Sequence, residues 1–361
     1  MRTSNHQKQM PSKGDEPLVT IVIRVYHSNE TLIRTLESLM NLDYEFSQIE
    51  INIVEDYDDE ESEKAIKTFL ETHPTYNEKI RIIQVNENAA TKAWNKGIRE
   101  SKGEIIMVLP DDVQVHTSTL KNALDLMNED PRVAAVTFPG IPEKKGKILM
   151  KYKVNNMKFL GLRSTISSAL LVTVYRKNAL MVTGLFREDM GLPLSIHEDW
   201  ELGSRIRKRG YRMLVDGTIS QIHLEGRNTS FVDKREQIAS RNILSLLLKN
   251  LRRYVREYIG KDWWSMLQVL KASPIDQLLE YFFYFVNPLM FLLLILINPF
   301  YSLVYGILIL TFVIFYSFFK KYYQVFNLKQ RLAYPLLVFF ARSIRTYLTI
   351  IGFVINGFHS S

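Results

Sequence analysis

The 361-residue sequence predicts an α/β protein with a mostly parallel, doubly wound sheet, followed by a membrane-associated C-terminal part. Three observations predict it. Short β-branched runs alternate with stretches of helical spacing over residues 18–109. Acidic pairs stand where two of those runs end, Glu55-Asp56 and Asp111-Asp112. Two long stretches in the last third carry no charge at all.

Residues 18–26 (LVTIVIRVY) form a nearly continuous apolar run, the pattern of a strand buried on both faces. Asn29 precedes residues 30–40, where Leu32, Ile33, Leu36 and Leu39 recur at helical spacing. A second strand is expected at 49–54, a helix at 63–70 and a third strand at 80–85. Residues 89–100 read as a helix stopped by Lys102-Gly103. A fourth strand at 105–109 ends in Pro110-Asp111-Asp112, and another is expected at 133–138. Strands alternating with helices imply right-handed βαβ crossovers. Ligands of such sheets lie beyond the carboxyl ends of the strands, which is where both acidic pairs fall. Further on, 144–153 reads as a basic solvated loop and 163–174 as a segment crossing the acceptor side of the cleft. Residues 197–209 read as a helix that opens with acids and ends in Lys208-Arg209-Gly210, as its dipole favours. A short strand is expected at 213–215.

The C-terminal part reads differently. Residues 281–297 are apolar apart from Asn287, and 300–319 are free of charge. A helix needs roughly 20 apolar residues to cross a bilayer. With Asn298-Pro299 between them, the two stretches read as a hairpin of spans, and Lys320, Lys321 and Lys329 mark the cytoplasmic return. Both flanks of a hairpin lie on one side, so the expectation is an integral membrane protein with its catalytic domain on the cytoplasmic side. Residues 241–258 and the stretch starting at Trp263-Trp264 read as interfacial. Residues 332–355 carry Arg342 and Arg345 and are either an in-plane helix or a third span. The expected organisation is a polar tail (1–17), a catalytic domain (18–250) and interfacial and transmembrane helices (251–361).

Composition narrows the chemistry. The chain has no Cys, which excludes a disulfide scaffold, thiolate metal sites and a cysteine nucleophile. Its net charge of +8 suits phosphate-bearing substrates or anionic lipid. Nucleic acid is not an expected partner, because no basic-aromatic RNA motif or zinc-finger spacing is present. A dehydrogenase is excluded by the lack of Gly-X-Gly-X-X-Gly, and no glycine-rich phosphate signature supports a nucleotidyltransferase.

The motifs of residues 18–250, in their order, resemble a family 2 glycosyltransferase catalytic domain of the GT-A fold, followed by membrane helices as in a reduced cellulose-synthase-like enzyme. Arg24-Val25-Tyr26-His27 stands at the family's Pro-Thr-Tyr-Asn, and Val54-Glu55-Asp56 at its Val-Asp-Asp. The resemblance implies a UDP- or GDP-sugar donor, with Tyr26 beside the base and Asp56 accepting a hydrogen bond from it. Lys92, in NENAATKAWNKG, either touches the diphosphate or is a solvated lysine. Pro110-Asp111-Asp112 stands at the family's Asp-X-Asp with the first acid replaced. The resemblance implies that Asp112 binds a divalent cation, Mg²⁺ or Mn²⁺, and that Asp111 binds ribose or supports the metal. Read alone, the tripeptide is also a plain turn. His197-Glu198-Asp199-Trp200 matches the Glu-Asp motif at the acceptor mouth, with Asp199 as general base and Glu198 beside it; the alternative is helix capping by Asp199. His223 falls where family members place a histidine near the metal, and a structural histidine is the other reading. Arg241-Asn242 aligns with the Arg-Trp of Gln-X-X-Arg-Trp, with Ile238 in the Gln position and Asn242 in the Trp position. The resemblance implies that Arg241 meets the diphosphate, while the missing tryptophan argues against processive synthesis. The implied activity is transfer of a hexose to a hydroxyl of a lipid-linked or membrane glycan. The alternatives are a polyprenyl-phosphate monosaccharide synthase and a weakly active scaffold subunit of a glycan-assembly complex.

Overall fold

The computed structural model describes residues 16–56, 59–86, 90–143, 171–190, 197–224 and 263–319, together with 339, 343, 344, 346, 347 and 351. The expected tail up to residue 15, the basic stretch 144–153, the interfacial stretch 241–258 and most of 332–355 lie outside the described residues.

The chain begins with strand β1 (Val19–Val25), helix α1 (Glu30–Met40), β2 (Ile49–Asp56), α2 (Glu60–Thr72), β3 (Ile80–Val85) and α3 (Ala90–Arg99). Then come β4 (Ile105–Pro110), β5 (Val113–Gln114), α4 (Thr119–Glu129), β6 (Val133–Phe138) and β7 (Gly140–Pro142). After these follow β8 (Val172–Arg176), α5 (Lys177–Thr183), α6 (Glu198–Lys208), β9 (Arg212–Val215) and β10 (Gln221–His223). The sheet runs β3-β2-β1-β4-β8-β6-β9, and a small second sheet runs β5-β10-β7. Strand β1 pairs parallel with β2 and with β4, and β2 parallel with β3. Strand β8 is antiparallel to β4 and β6.

The sequence periodicity explains the layers. Val19, Ile21, Ile23 and Val25 alternate into a core shared with Leu32, Leu36 and Leu39 of α1 and Ile66 and Phe69 of α2. Val22, Val54 and Ile106 face the opposite core, with Ala93 and Ile98 of α3 and Leu202 and Ile206 of α6. One expectation is corrected here. Residues 172–174, read as part of an acceptor-side crossing, belong to β8 in the sheet interior. Val172 and Val174 are fully buried, because β-branched residues suit a strand covered on both faces.

Helix α3 lies unusually close to the sheet. A Cβ on Gly97 would stand 2.5 Å from Val22 Cγ1 and 2.8 Å from Val54 Cγ2. Asn52 Nδ2 also donates to Gly97 O at 3.0 Å, tying helix to strand.

Past the domain come α7 (Trp263–Ala272), α8 (Ile275–Ile297) and α9 (Pro299–Phe319). The break at Asn298 is where the Asn-Pro pair placed it, whereas α8 begins earlier than residue 281 and runs through Pro288. Helix α8 is long and apolar enough to cross a membrane by length and composition, with mean hydropathy 1.9. Asn287 ties it to α9: its Nδ2 donates to Phe283 O at 2.7 Å and its Oδ1 accepts from Tyr305 Oη at 2.7 Å. Helix α7 is seated on α6. Val269 is fully buried and Lys208 Nζ donates to Lys271 O at 3.1 Å, while Arg207 of α6 pairs at 2.6 Å with Asp276 in the first turn of α8.

Gly97→Ala is expected to destabilise the domain by about 1–3 kcal/mol, since two packed valines must move. Thermal unfolding of the purified protein checks this; an unchanged midpoint would show that Val22 and Val54 yield freely.

Candidate active site

Parallel pairing of β1, β2 and β4 brings their carboxyl ends to one edge of the sheet. There β1 leads into Tyr26, β2 ends at Asp56 and β4 leads into Asp111-Asp112. Tyr26 is 43% exposed at this edge. Its ring centroid lies 4.3 Å from that of His27, and the Arg24 guanidinium lies 5.6 Å from the tyrosine ring. His27 has φ +48°, a left-handed conformation uncommon outside glycine. Its N–H donates to Asp59 Oδ2 at 2.7 Å, and Asp59 in turn accepts from Ser62 N and Ser62 Oγ. A buried carboxylate thus holds the turn after β1.

Helix α1 fixes the turn after β4. Thr35, within the buried stripe of α1, accepts from Val113 N at 3.0 Å and donates to Asp111 O at 2.9 Å. One turn on, Ser38 Oγ accepts from Val115 N at 2.9 Å. The two acids of this turn then part company. Asp111 Oδ2 accepts from Tyr26 N at 3.4 Å and the carboxylate also meets the Ser28 side chain. Burial, with the Asp112 charge adding, pushes its pKa up from the ordinary 3.8 to about 6.

Asp112 faces His223 instead, Oδ2 to Nε2 at 3.0 Å, with the side chains 27% and 44% exposed. Pairing of His223 with Val113, and a 2.7 Å bond from Leu224 N to Asp112 O, put the histidine there. Fully buried Gln221 anchors that strand through His116 N at 2.7 Å and Thr119 Oγ1 at 3.1 Å. Among the described residues no group of three or more metal-ligating side chains occurs, so Asp112 and His223 form a two-residue platform.

The acidic helix start lies beside β8. Glu198 and Asp199 occupy the first turn of α6, whose N-cap is His197, so Asp199 does not cap the helix. Glu198 is buried and Asp199 is half-buried. Burial pushes the Tyr175 hydroxyl of β8 far up, and the charges of Asp199 and Glu198 add to it. One turn into α6, Glu201 is neutralised by Arg205 at 2.7 Å.

A strand-edge acid, an adjoining histidine, an exposed tyrosine and an acidic helix start suit a group-transfer enzyme, and comparison with known proteins settles which. Residues 20–187 match the model of Glycosyl transferase family 2. These residues form a family 2 glycosyltransferase domain. Over 197 residues, 51% of the chain, it is 25% identical to the poly-beta-1,6-N-acetyl-D-glucosamine synthase of Staphylococcus epidermidis. Over 138 residues, 37% of the chain, it is 28% identical to the beta-monoglucosyldiacylglycerol synthase of Trichormus variabilis. These matches span 45% and 28% of the relatives' own lengths. The mannosyltransferase PcManGT of Pyrobaculum calidifontis, solved with GDP-Man and Mn²⁺, superposes with a TM-score of 0.50. That comparison covers 94% of this chain and 90% of the other at 15% identity. It shows the shared GT-A fold.

Of the expected site residues, Tyr26 meets Asp111, His223 meets the adjoining Asp112, and Asp56 ends the neighbouring strand. Lys92 is half-buried in the first turn of α3, where its charge acts on Glu188. Arg241 lies outside the described residues. Sequence reasoning did not single out Thr35, Ser38, Asp59 or Gln221. The signal was available for two of them: Thr35 and Ser38 are polar positions inside the apolar stripe of α1.

The raised Asp111 pKa fixes a sign. Its native carboxyl keeps a proton that the unfolded chain has lost between pH 3.8 and about 6, so native stability falls as pH rises through that window. Asp111→Asn is expected to flatten this slope, gaining on the parent above about pH 6 and not below about pH 4. Melting curves in chelator across that range check it.

Proposed function

We propose that the protein is a metal-dependent, inverting glycosyltransferase that moves a hexose from a UDP- or GDP-sugar to a hydroxyl of a lipid-linked glycan at the cytoplasmic membrane face. The observation that carries this reading is the Asp112–His223 pair, 3.0 Å apart beside exposed Tyr26 at the carboxyl edge of the sheet. Tyr26 would lie against the base and Asp56 would accept its ring N–H. Asp112 and His223 would hold Mg²⁺ or Mn²⁺. Their donor set fits, since such an ion needs only one or two carboxylates or imidazoles when phosphate oxygens and water complete its shell. When bound, the ion neutralises charge on the departing nucleoside diphosphate. Asp111 then serves the site indirectly, by fixing the Tyr26 peptide. Lys92 and Arg241 would add positive charge for the diphosphate.

Asp199, with Glu198 beside it, would act on the acceptor. Its carboxylate takes the hydroxyl proton while that oxygen bonds to the anomeric carbon. The bond to the diphosphate breaks on the opposite face, so configuration inverts. The membrane assignment is supported by α8, whose exposed apolar side chains include Leu296 at 82%. Helices α8 and α9 would form the hairpin that holds the enzyme at its lipid-linked acceptor. One relative bears the name of a glucosyldiacylglycerol synthase, which favours an acceptor in the membrane.

The base separates this reading from a polyprenyl-phosphate acceptor, which is ionised already and needs no proton removed. Asp199→Asn is expected to cut transfer by about 10²–10⁴-fold with nucleoside diphosphate binding intact. Unimpaired transfer in that variant would sink the assignment. Screening a panel of nucleotide-sugars with the detergent-purified protein, with chelator or Mn²⁺, tests donor and metal together. One donor should be consumed only with the ion present, and Asp112→Ala should remove the ion's effect; equal turnover in chelator would overturn metal dependence.

A further inference from the structure

Residues 184–190 lie between the helix that carries Lys92 and the helix that carries Asp199, and three helices grip them. From α3, Thr91 Oγ1 donates to Met190 O at 2.9 Å. Asn95 Nδ2 donates to Phe186 O at 2.8 Å and to Glu188 Oε1 at 3.0 Å. Phe186 N returns a bond to Asn95 Oδ1 at 3.0 Å. This reciprocal pair holds the two peptide groups that flank the Phe186 Cα. Thr91 and Asn95 are 0% and 1% exposed, so neither bond competes with water.

Helix α6 grips the same segment from the other side. Arg205 donates from Nη1 to Thr183 O at 2.7 Å and from Nη2 to Leu185 O at 2.6 Å, while its Nε binds Glu201. Helix α7 adds a third hold, Arg187 Nη1 to Gln268 Oε1 at 2.6 Å. The backbone in between is unusual. Gly184 has φ +100°, and Leu185, a buried L-residue, is held at φ +60°. A bulky residue stays in that region only where its surroundings impose it.

We propose that residues 184–190 are a bracket setting the distance between the donor-side helix α3 and the base Asp199, and that Asn95 is its positioning residue. The bracket rests on the reading of Asp199 as the base. Asn95 is buried and spends its side chain on Phe186 and Glu188. It acts by holding the peptide against which Arg205 locks α6. Loosening it leaves the sheet-edge donor site formed while Asp199 drifts from the attacking oxygen. Misplacement of that kind by about 1 Å can cost on the order of 10²-fold in rate.

The test is Asn95→Ala beside the milder, nearly isosteric Thr91→Val, each in the full-length detergent-purified enzyme. Active sites are counted by stoichiometric binding of the nucleoside diphosphate with Mn²⁺, so that unfolded protein does not enter the rate. The expected result for Asn95→Ala is a fall in kcat per site of about tenfold or more with donor KM within about threefold. Thr91→Val should move the same way by less. Should Asn95→Ala not fold, Thr91→Val decides. If kcat per binding-competent site equals the parent's in the folded variants, whatever their melting temperatures, the two residues are merely structural and the bracket is refuted. Asp199→Asn run alongside separates the failures. Loss of transfer there with normal kcat in the bracket variants removes the bracket alone, and normal transfer there removes the base and the bracket together.

Discussion

The parallel pairing of β1 with both β2 and β4 is the constraint on which the rest depends. Strands joined that way cannot close into hairpins, so each must hand its chain to a crossover, and all three release it at one edge. Order β3-β2-β1-β4 means the chain turns outward in opposite directions on the two sides of β1, leaving a crevice between the β1 and β4 loops. Tyr26 and Asp111 meet across that crevice. The edge is stiff because polar groups buried within apolar helices hold it from beneath. Thr35, Ser38 and Asp59 each accept backbone N–H groups that would otherwise be orphaned in the turns.

Much of this was legible in the sequence. The β-branched runs located β1, β2, β3, β4 and β6 to within a residue or two, because buried parallel strands leave a continuous apolar signature. The glycosyltransferase class followed from motif order, and the helix break at Asn298 from an Asn-Pro dipeptide. Strand β8 was not legible as a sheet member. Its antiparallel insertion between β4 and β6 is a long-range pairing with no local mark. Nor was the divergence of Asp111 and Asp112, since neighbours in a tight turn project differently and only tertiary contacts decide what each one meets. The hold on residues 184–190 was equally hidden. Asn95 appeared as one polar residue in a helical motif, and its partners lie about ninety positions further on.

The catalytic and apolar parts are joined by more than a tether. Only two residues separate α7 from α8; α7 is fastened to the helix bearing Asp199 through Lys208 and buried Val269, and the first turn of α8 through Arg207–Asp276. An ion pair such as Arg207–Asp276 contributes little by itself where it is exposed to water. Combined with an apolar seat and a backbone bond, it sets an angle. The direction in which α8 leaves the domain is therefore tied to α6, the helix that carries Glu198 and Asp199.

Two polar contacts notch the paired helices α8 and α9 together: Tyr305 Oη donates to Asn287 Oδ1, and Ser302 Oγ donates to Phe291 O at 3.2 Å. Sliding one helix past the other by a turn, about 5.4 Å, would strand an amide and a phenol among hydrocarbon side chains, where neither finds a substitute. Around these bonds the contact is aromatic and aliphatic, as between Phe283 and Phe312. These few polar contacts thus convert a greasy, adaptable surface into a helix pair of fixed register, and the length of that pair becomes a constant of the molecule.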